Sequence, residues 1–162
     1  MDQSAPFRLR PIRPEDAEIE AAFVRGLSPQ SKYFRFLGSL NELTPEMLAR
    51  FTRIDPDREM ALIATTMEAG REIEIGVARF AAHDDGATCE FAIVVADAWQ
   101  GKGIGTALME SLMDGARERG LRAIEGNVHQ ENHNMRRLMR RLGFAIETDR
   151  DDATLCDVRK EL

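Results

Sequence analysis

The residues with the clearest chemical potential are the glycines of Gly101-Lys102-Gly103-Ile104-Gly105 and one carboxylate upstream of them, Glu90. The glycine-rich turn follows an apolar run, Phe91-Ala92-Ile93-Val94-Val95-Ala96, and a polar break at Asp97-Ala98-Trp99-Gln100. It then opens a segment with helical spacing. Strand, glycine loop and helix N-terminus together bind anions. The first N–H groups of a helix have no partner within it, and the helix dipole adds about half a positive charge there. Glycines let the backbone approach a phosphate and permit positive φ. Glu90 is the one carboxylate of the apolar strand, ten residues before Gln100. A strand carboxylate among apolar neighbours tends to a raised pKa, nearer the range useful to a general base.

Spacing excludes two common phosphate loops. A Walker A loop needs Gly-x-x-x-x-Gly-Lys-Ser/Thr, whereas Lys102 lies between glycines with Ile104 in place of a hydroxyl. A dinucleotide fingerprint needs Gly-x-Gly-x-x-Gly, and counting from Gly101 or Gly103 the third glycine is replaced by Thr106 or Leu108. Cys89 and Cys156 are too few for a disulfide scaffold, and the three histidines His83, His129 and His133 share no metal-ligand spacing, so no metal is expected. The net charge of −6 disfavours a nucleic-acid backbone as the main partner. No apolar run reaches the roughly 18 residues of a membrane span, and Met1-Asp2-Gln3 does not begin a signal peptide. A cytoplasmic protein is the default expectation.

The elements that must position these residues follow from periodicity. At 162 residues, 43% hydrophobic and 31% charged, the chain suits one globular domain. Residues 1–6 read as a flexible tail and 7–162 as the domain. Phe7 to Arg13 alternates as a half-buried strand that Pro11 places at an edge or a bulge. Helices are predicted to start at Pro14-Glu15-Asp16, Ser28-Pro29 and Thr44-Pro45-Glu46, the first burying Ile19, Ala22, Phe23 and Leu27. After the turn Asp55-Pro56-Asp57-Arg58, strands are predicted over 60–67, around Ile73, Ile75 and Val77, and up to Ala96. The last of these, nearly continuous in hydrophobicity, should be central and buried on both faces. A helix over 103–119, a strand over 121–129, a helix over 132–142 and strands at 144–146 and 154–158 complete the chain. The order β-α-α-α-β-β-β-α-β-α-β-β implies an α/β (α+β) protein with a mixed sheet and helices on its faces.

Gln-x-x-Gly-x-Gly at Gln100, Gly103 and Gly105 resembles the pyrophosphate loop of the GNAT acetyltransferase superfamily. Asn132, twelve residues before Phe144, and Leu142-Gly143-Phe144 are similar to the opening and close of that family's second cofactor motif. The element order is also that of the GNAT fold, a mixed central sheet of about seven strands flanked by helices. A narrower likeness runs through Arg10-Pro11-Ile12-Arg13-Pro14-Glu15-Asp16, Leu27-Ser28-Pro29, Tyr33-Phe34-Arg35-Phe36, Ile54-Asp55-Pro56-Asp57-Arg58-Glu59-Met60-Ala61 and Glu90-Phe91-Ala92. These resemble the acetyltransferase domain of bacterial Pat-type protein lysine acetyltransferases, which modify acyl-CoA synthetases.

The resemblance implies acetyl-CoA as the acetyl donor. Gln100, Gly101, Lys102, Gly103, Ile104, Gly105 and Thr106 would hold its pyrophosphate, and Asn132 would belong to the second cofactor motif. Ile93, Val94 and Val95 would lie along the pantetheine, with the N–H of Val95 or a neighbour meeting the thioester oxygen. Glu90 would deprotonate a protein lysine ε-amine, whose unperturbed pKa is about 10.4. Many members carry a tyrosine seven residues after the Asn132 position, where it can protonate the departing thiolate; here that residue is Met139. Two other readings stay open: acetylation of a small amine or amino acid, and a non-catalytic acyl-CoA-binding sensor that contacts a partner. The basic helical face of Arg136, Arg137, Arg140 and Arg141 either reaches the cofactor's ribose phosphate or is a solvated face. Oligomeric state is left open.

Overall fold

The computed structural model describes residues 6–38 and 40–162, so residues 1–5 of the expected tail lie outside the described residues. Strand β1 (Arg8–Pro11) leads through a short 3-10 turn into helices α1 (Ala17–Arg25), α2 (Pro29–Phe36) and α3 (Pro45–Thr52). Strands β2 (Glu59–Glu68), β3 (Arg71–Ala82) and β4 (Thr88–Val95) form a meander. Helix α4 (Ile104–Glu118), strand β5 (Ala123–His129), helix α5 (His133–Arg141) and strands β6 (Ala145–Thr148) and β7 (Leu155–Glu161) follow.

Local chemistry explains the helix starts. Ser28 Oγ accepts the Ser31 N–H ahead of α2, and Thr44 Oγ1 accepts the Met47 N–H ahead of α3. In both, the next residue is proline, whose missing N–H has no helical partner to lose. The β2–β3 hairpin turns through Ala69 and Gly70, at φ 51° and 76°. Two successive positive φ values match the twist of the flanking strands.

The seven strands form one mixed sheet in the order β1-β2-β3-β4-β5-β7-β6. Pro11 lies on the edge strand, as a residue without an N–H should. Helices α4 and α5 pack on one face, where Ile104, Leu108 and Leu112 meet Ile75, Phe80, Phe91 and Ile124. Helices α1 to α3 cover the other face, with Phe23, Val24 and Leu27 against Ile63, Val77 and Val94. Each such side chain contributes about 1.5–3 kcal/mol of burial. Strand β4 is central, as its hydrophobicity predicts, but it is not covered along its whole length. On the α1–α3 face the cover stops short, and Glu90, Asn127, Asp157 and Arg159 stand exposed.

A nest of charges is buried under α1. Glu20 on α1 and Glu74 on β3 are only 2% and 5% exposed. Neither oxygen of Glu74, nor Oε2 of Glu20, has a hydrogen-bond partner among the described residues. Arg79 Nη2 lies 3.9 Å from Glu20 Oε1, while its Nη1 donates to the Phe51 carbonyl at 3.1 Å. Burial first, and the Glu20 charge second, push the Glu74 pKa well above the ordinary glutamate value. An acid raised on folding binds more protons in the native state, so its contribution falls as pH rises past its unfolded value of about 4.3. Glu74→Gln cannot ionise. It should flatten the loss of stability between pH 5 and 9 and leave the variant the more stable protein at pH 8, since a neutral amide spares the cost of ionising a buried carboxylate. Thermal unfolding across that pH range checks this, and parallel slopes for both proteins would show that Glu74 does not carry the pH dependence.

Candidate active site

The site begins where two strands part. β4 and β5 are the sheet's parallel neighbours, and their register holds only at Thr88–Ala123, Cys89–Ile124 and Glu90–Glu125. Beyond Glu90 the strands separate around a cleft of about 490 Å³, lined by β4 from Phe91 to Val95, by the glycine loop, and by the faces of α2 and α5.

Separation leaves backbone groups of β4 unmatched on the cleft side. The Ala96 N–H donates to the Ile75 carbonyl at 2.8 Å, toward β3. Polar groups alternate sides along a strand, so those of Val94 also turn to β3, while those of Ile93 and Val95 turn to the cleft. Gln100 Nε2 donates to the Val95 carbonyl at 3.0 Å, which agrees with that assignment. Of the three strand residues expected at the site, Ile93 and Val95 therefore offer N–H groups. Val94 offers only a side chain, and that side chain is buried in the α1–α3 core.

The loop crosses the end of this cleft. Gly101 and Gly103 have φ of 77° and 86°, which L side chains rarely adopt. Gly105 serves packing instead, since a Cβ there would lie 3.2 Å from Leu138 Cδ2 on α5. The Ala107 N–H bonds to the Gly103 carbonyl at 3.1 Å. The N–H groups of Ile104, Gly105 and Thr106 thus have no partner within α4 and are available to an anion, with the dipole behind them. Ile104 can supply only its backbone, because its side chain is 1% exposed in the core. Lys102 is not part of the cleft lining; its Nζ lies 5.9 Å from the Trp99 ring centroid.

Asn132 lines the cleft and also caps α5, its Oδ1 accepting the Met135 N–H at 3.2 Å. Of the basic face on α5, Arg137 and Arg141 line the cleft, while Arg136 is turned back to the Gln130 carbonyl at 3.0 Å. Met139 is fully buried and reaches no reacting group. The α2 residues Ser31, Phe34 and Arg35 line the far wall and escaped the sequence reading, because nothing in local periodicity brings that helix over β4. Asp97 fastens it there. Its carboxylate accepts the Ser28 N–H at 3.1 Å, the Ser28 hydroxyl at 2.8 Å and the Ser31 hydroxyl at 3.0 Å. Burial works against the charged form, but these hydrogen bonds outweigh it and hold the Asp97 carboxyl below the usual range.

Glu90 is exposed and borders a second cleft of about 520 Å³ on the uncovered sheet face, with Glu125, Glu147, Asp157 and Arg159. Arg159 pairs with Glu125 at 2.8 Å and with Glu161 at 3.2 Å, so the cleft keeps an acidic excess. Asn127 lines both clefts. His83 Nε2 is 3.1 Å from Glu125 Oε1, and His129 stacks on Tyr33 and Phe34 at 5.3 and 5.4 Å. Among the described residues no group of three or more His, Cys, Asp or Glu is placed to hold a metal ion, and no helix is long and apolar enough to cross a membrane.

Residues 7–145 match the family model of the acetyltransferase (GNAT) domain. An acetyltransferase of Pseudomonas aeruginosa is 38% identical over 154 residues, which are 95% of this chain and 83% of that protein. The acetyltransferase Pat of Mycolicibacterium smegmatis is 33% identical over 138 residues, 85% of this chain but 40% of that protein. The GNAT domain of S. lividans PAT superposes with a TM-score of 0.86 at 29% identity, over 96% of this chain and 90% of that one. The family model and the 38% identical relative agree with the fold, and the chain belongs to the GNAT family of acetyltransferases.

Proposed function

We propose that this acetyltransferase moves the acetyl group of acetyl-CoA onto the ε-amine of a protein lysine, with Glu90 as general base. The observation that carries the reading is the meeting of two clefts at Asn127: one ends in unpaired helix N–H groups, the other is acidic and holds Glu90. The first suits a pyrophosphate and an extended thioester arm; the second suits a cationic amine. The likeness to Pat-type enzymes around Glu90-Phe91-Ala92 supports a lysine acceptor.

In this mechanism the pyrophosphate rests on the N–H groups of Ile104, Gly105 and Thr106, with Arg137 and Arg141 alongside. The pantetheine arm lies against β4. Ile93 is three residues from Glu90, about 10 Å of strand, whereas Val95 is about 16 Å away. The Ile93 N–H is therefore the better placed donor to the thioester oxygen, and such a donor contributes about 2.7–4 kcal/mol in acyl transfer. The lysine enters from the acidic face and gives a proton to Glu90, directly or through one water. Its nitrogen then bonds to the carbonyl carbon. The C–S bond breaks as the tetrahedral adduct collapses, and the nitrogen's surplus proton passes to the departing thiolate, leaving the neutral amide and free CoA thiol. The thiol's pKa of about 8.5, by analogy with cysteine, lets it depart as thiolate, so Met139 in place of a tyrosine does not block the reaction.

Mass spectrometry of acyl-CoA synthetases and a panel of free amines, each incubated with the protein and acetyl-CoA, tests the acceptor. One added acetyl group on a defined synthetase lysine supports the proposal; acetylation confined to small amines moves the function to them. Asp97→Ala should release α2 from the loop and raise KM for acetyl-CoA up to about tenfold, equivalent to ~1.4 kcal/mol of lost preorganisation. Steady-state kinetics with varied acetyl-CoA reads this, and an unchanged KM would mean that the loop holds its shape without α2.

A further inference from the structure

Arg35 is a cation in the wall of the cleft on which Glu20 acts only from beyond ion-pair distance. It sits in the last turn of α2, half-buried, with its guanidinium carbon 4.8 Å from the Phe36 ring centroid and 5.9 Å from that of Phe51. Among the described residues it has no hydrogen-bond partner and no carboxylate in ion-pair range. Its charged neighbour Arg79 lies over the same Phe51 ring at 4.6 Å, and among the described residues only Glu20, at 3.9 Å, is a carboxylate within ion-pair range of it. Burial and the Glu20 charge push Glu74 toward its neutral form, which weakens the carboxylate charge that the two guanidiniums share. Burial first, and the neighbouring Arg79 second, lower the Arg35 pKa to about 10. The C-terminus of α2 and two aromatic faces soften this cost, but a helix end supplies only about half a charge, and the guanidinium nitrogens, unlike Arg79 Nε, are not buried and stay open to the cleft.

The open side of Arg35 is the cleft. Arg79 faces Ala92 across the β3–β4 register, and Glu90 lies two residues from Ala92 on the same face, about 6.6 Å along the strand. Arg35 lines the first cleft and Glu90 borders the second, and the two clefts meet at Asn127, so an acceptor whose amine reaches Glu90 has a cationic group across that junction. We infer that Arg35 is a specificity-determining residue that receives a carboxylate carried by the acceptor close to its reacting amine. The inference rests on the amine-acceptor reading above. Two sources share this chemistry: a lysine with an acidic residue beside it in a polypeptide, and a free amino acid.

Matched acceptors separate them. Lysine peptides with Asp or Asn next to the lysine, and free amino acids against their amides, are compared in the full chain and in Arg35→Gln. In the parent, one pair should show a preference of about tenfold or more in kcat/KM for the carboxylate form, expressed in KM. Arg35→Gln should bring it close to unity, and Arg35→Lys should restore part of it, since a lysine keeps the charge but loses the fork. A peptide preference identifies the polypeptide source and an amino-acid preference the free one. Equal use of carboxylate and amide by the parent, or a preference that survives Arg35→Gln, overturns the inference. A second readout needs no turnover. Phenylglyoxal modification of Arg35, followed by mass spectrometry, should be slowed by N-acetylaspartate α-amide and not by N-acetylasparagine α-amide; equal labelling with both overturns the inference even if no amine is acetylated. Failure of every acceptor alongside selective protection would instead remove the lysine reading and keep Arg35 as a carboxylate site.

Discussion

Glu90→Gln should lower acetyl transfer at pH 7 by about a hundredfold or more, within the range general-base catalysis contributes. The substitution keeps the size of an exposed side chain and leaves the core untouched, so the melting temperature should hold while the rate falls. The pH profile carries the sharper test. Without a base the reaction depends on amine that has already lost its proton. Below its pKa of about 10.4 that fraction rises tenfold per pH unit. The variant's rate should climb accordingly between pH 7 and 9, and its deficit relative to the parent should shrink. A deficit that stays constant with pH would assign Glu90 to holding the acceptor rather than to moving its proton. Rates within a few-fold of the parent at pH 7 would remove it from the mechanism, and Glu125 or Asp157 in the same acidic cleft would be examined next.

The site was legible in the sequence to the extent that its chemistry is local. Positive-φ glycines, a helix start and a preceding apolar strand occupy one continuous segment, and the structure keeps them in the expected arrangement. Pro11 left β1 an edge or a bulge, and the structure has the edge. What escaped depends on which faces are covered. Alternation of Ile73, Ile75 and Val77 assigns Glu74 to solvent, yet β3 lies mid-sheet with helices on both faces, so Glu74 is buried. Glu20 carried a signal that passed unused: Phe23, Val24 and Leu27 follow it at three, four and seven residues, which puts it on the apolar stripe of α1. Glu90 presents the converse. A nearly continuous apolar strand suggested cover on both sides, but α1 to α3 end before they reach it. Arg35 could not be placed at the cleft from sequence, because its position depends on the Asp97 bonds that draw α2 across β4.

Gly103→Val should raise KM for acetyl-CoA about five- to thirtyfold with a smaller effect on kcat. Gly103 is the N-cap of α4 at φ 86°, and a Cβ built on it meets nothing within 4 Å, so a side chain costs backbone strain and no clash. For an L-residue that strain is about 1–2 kcal/mol, and a β-branched residue is poorly suited to positive φ. Relaxing it turns the first N–H groups of α4 away from the pyrophosphate, which converts strain into lost affinity on the same scale. Gly120 supplies the control. It lies just past the other end of α4 at φ 78°, also with open space around its Cβ, and it takes no part in the cleft lining. Gly120→Val should therefore lower the melting temperature about as much as Gly103→Val while leaving KM for acetyl-CoA near the parent value. Equal KM effects from both would trace the defect to a loosened helix. A change confined to Gly103→Val would locate donor binding at the loop that Gln100, Gly101 and Gly103 shape.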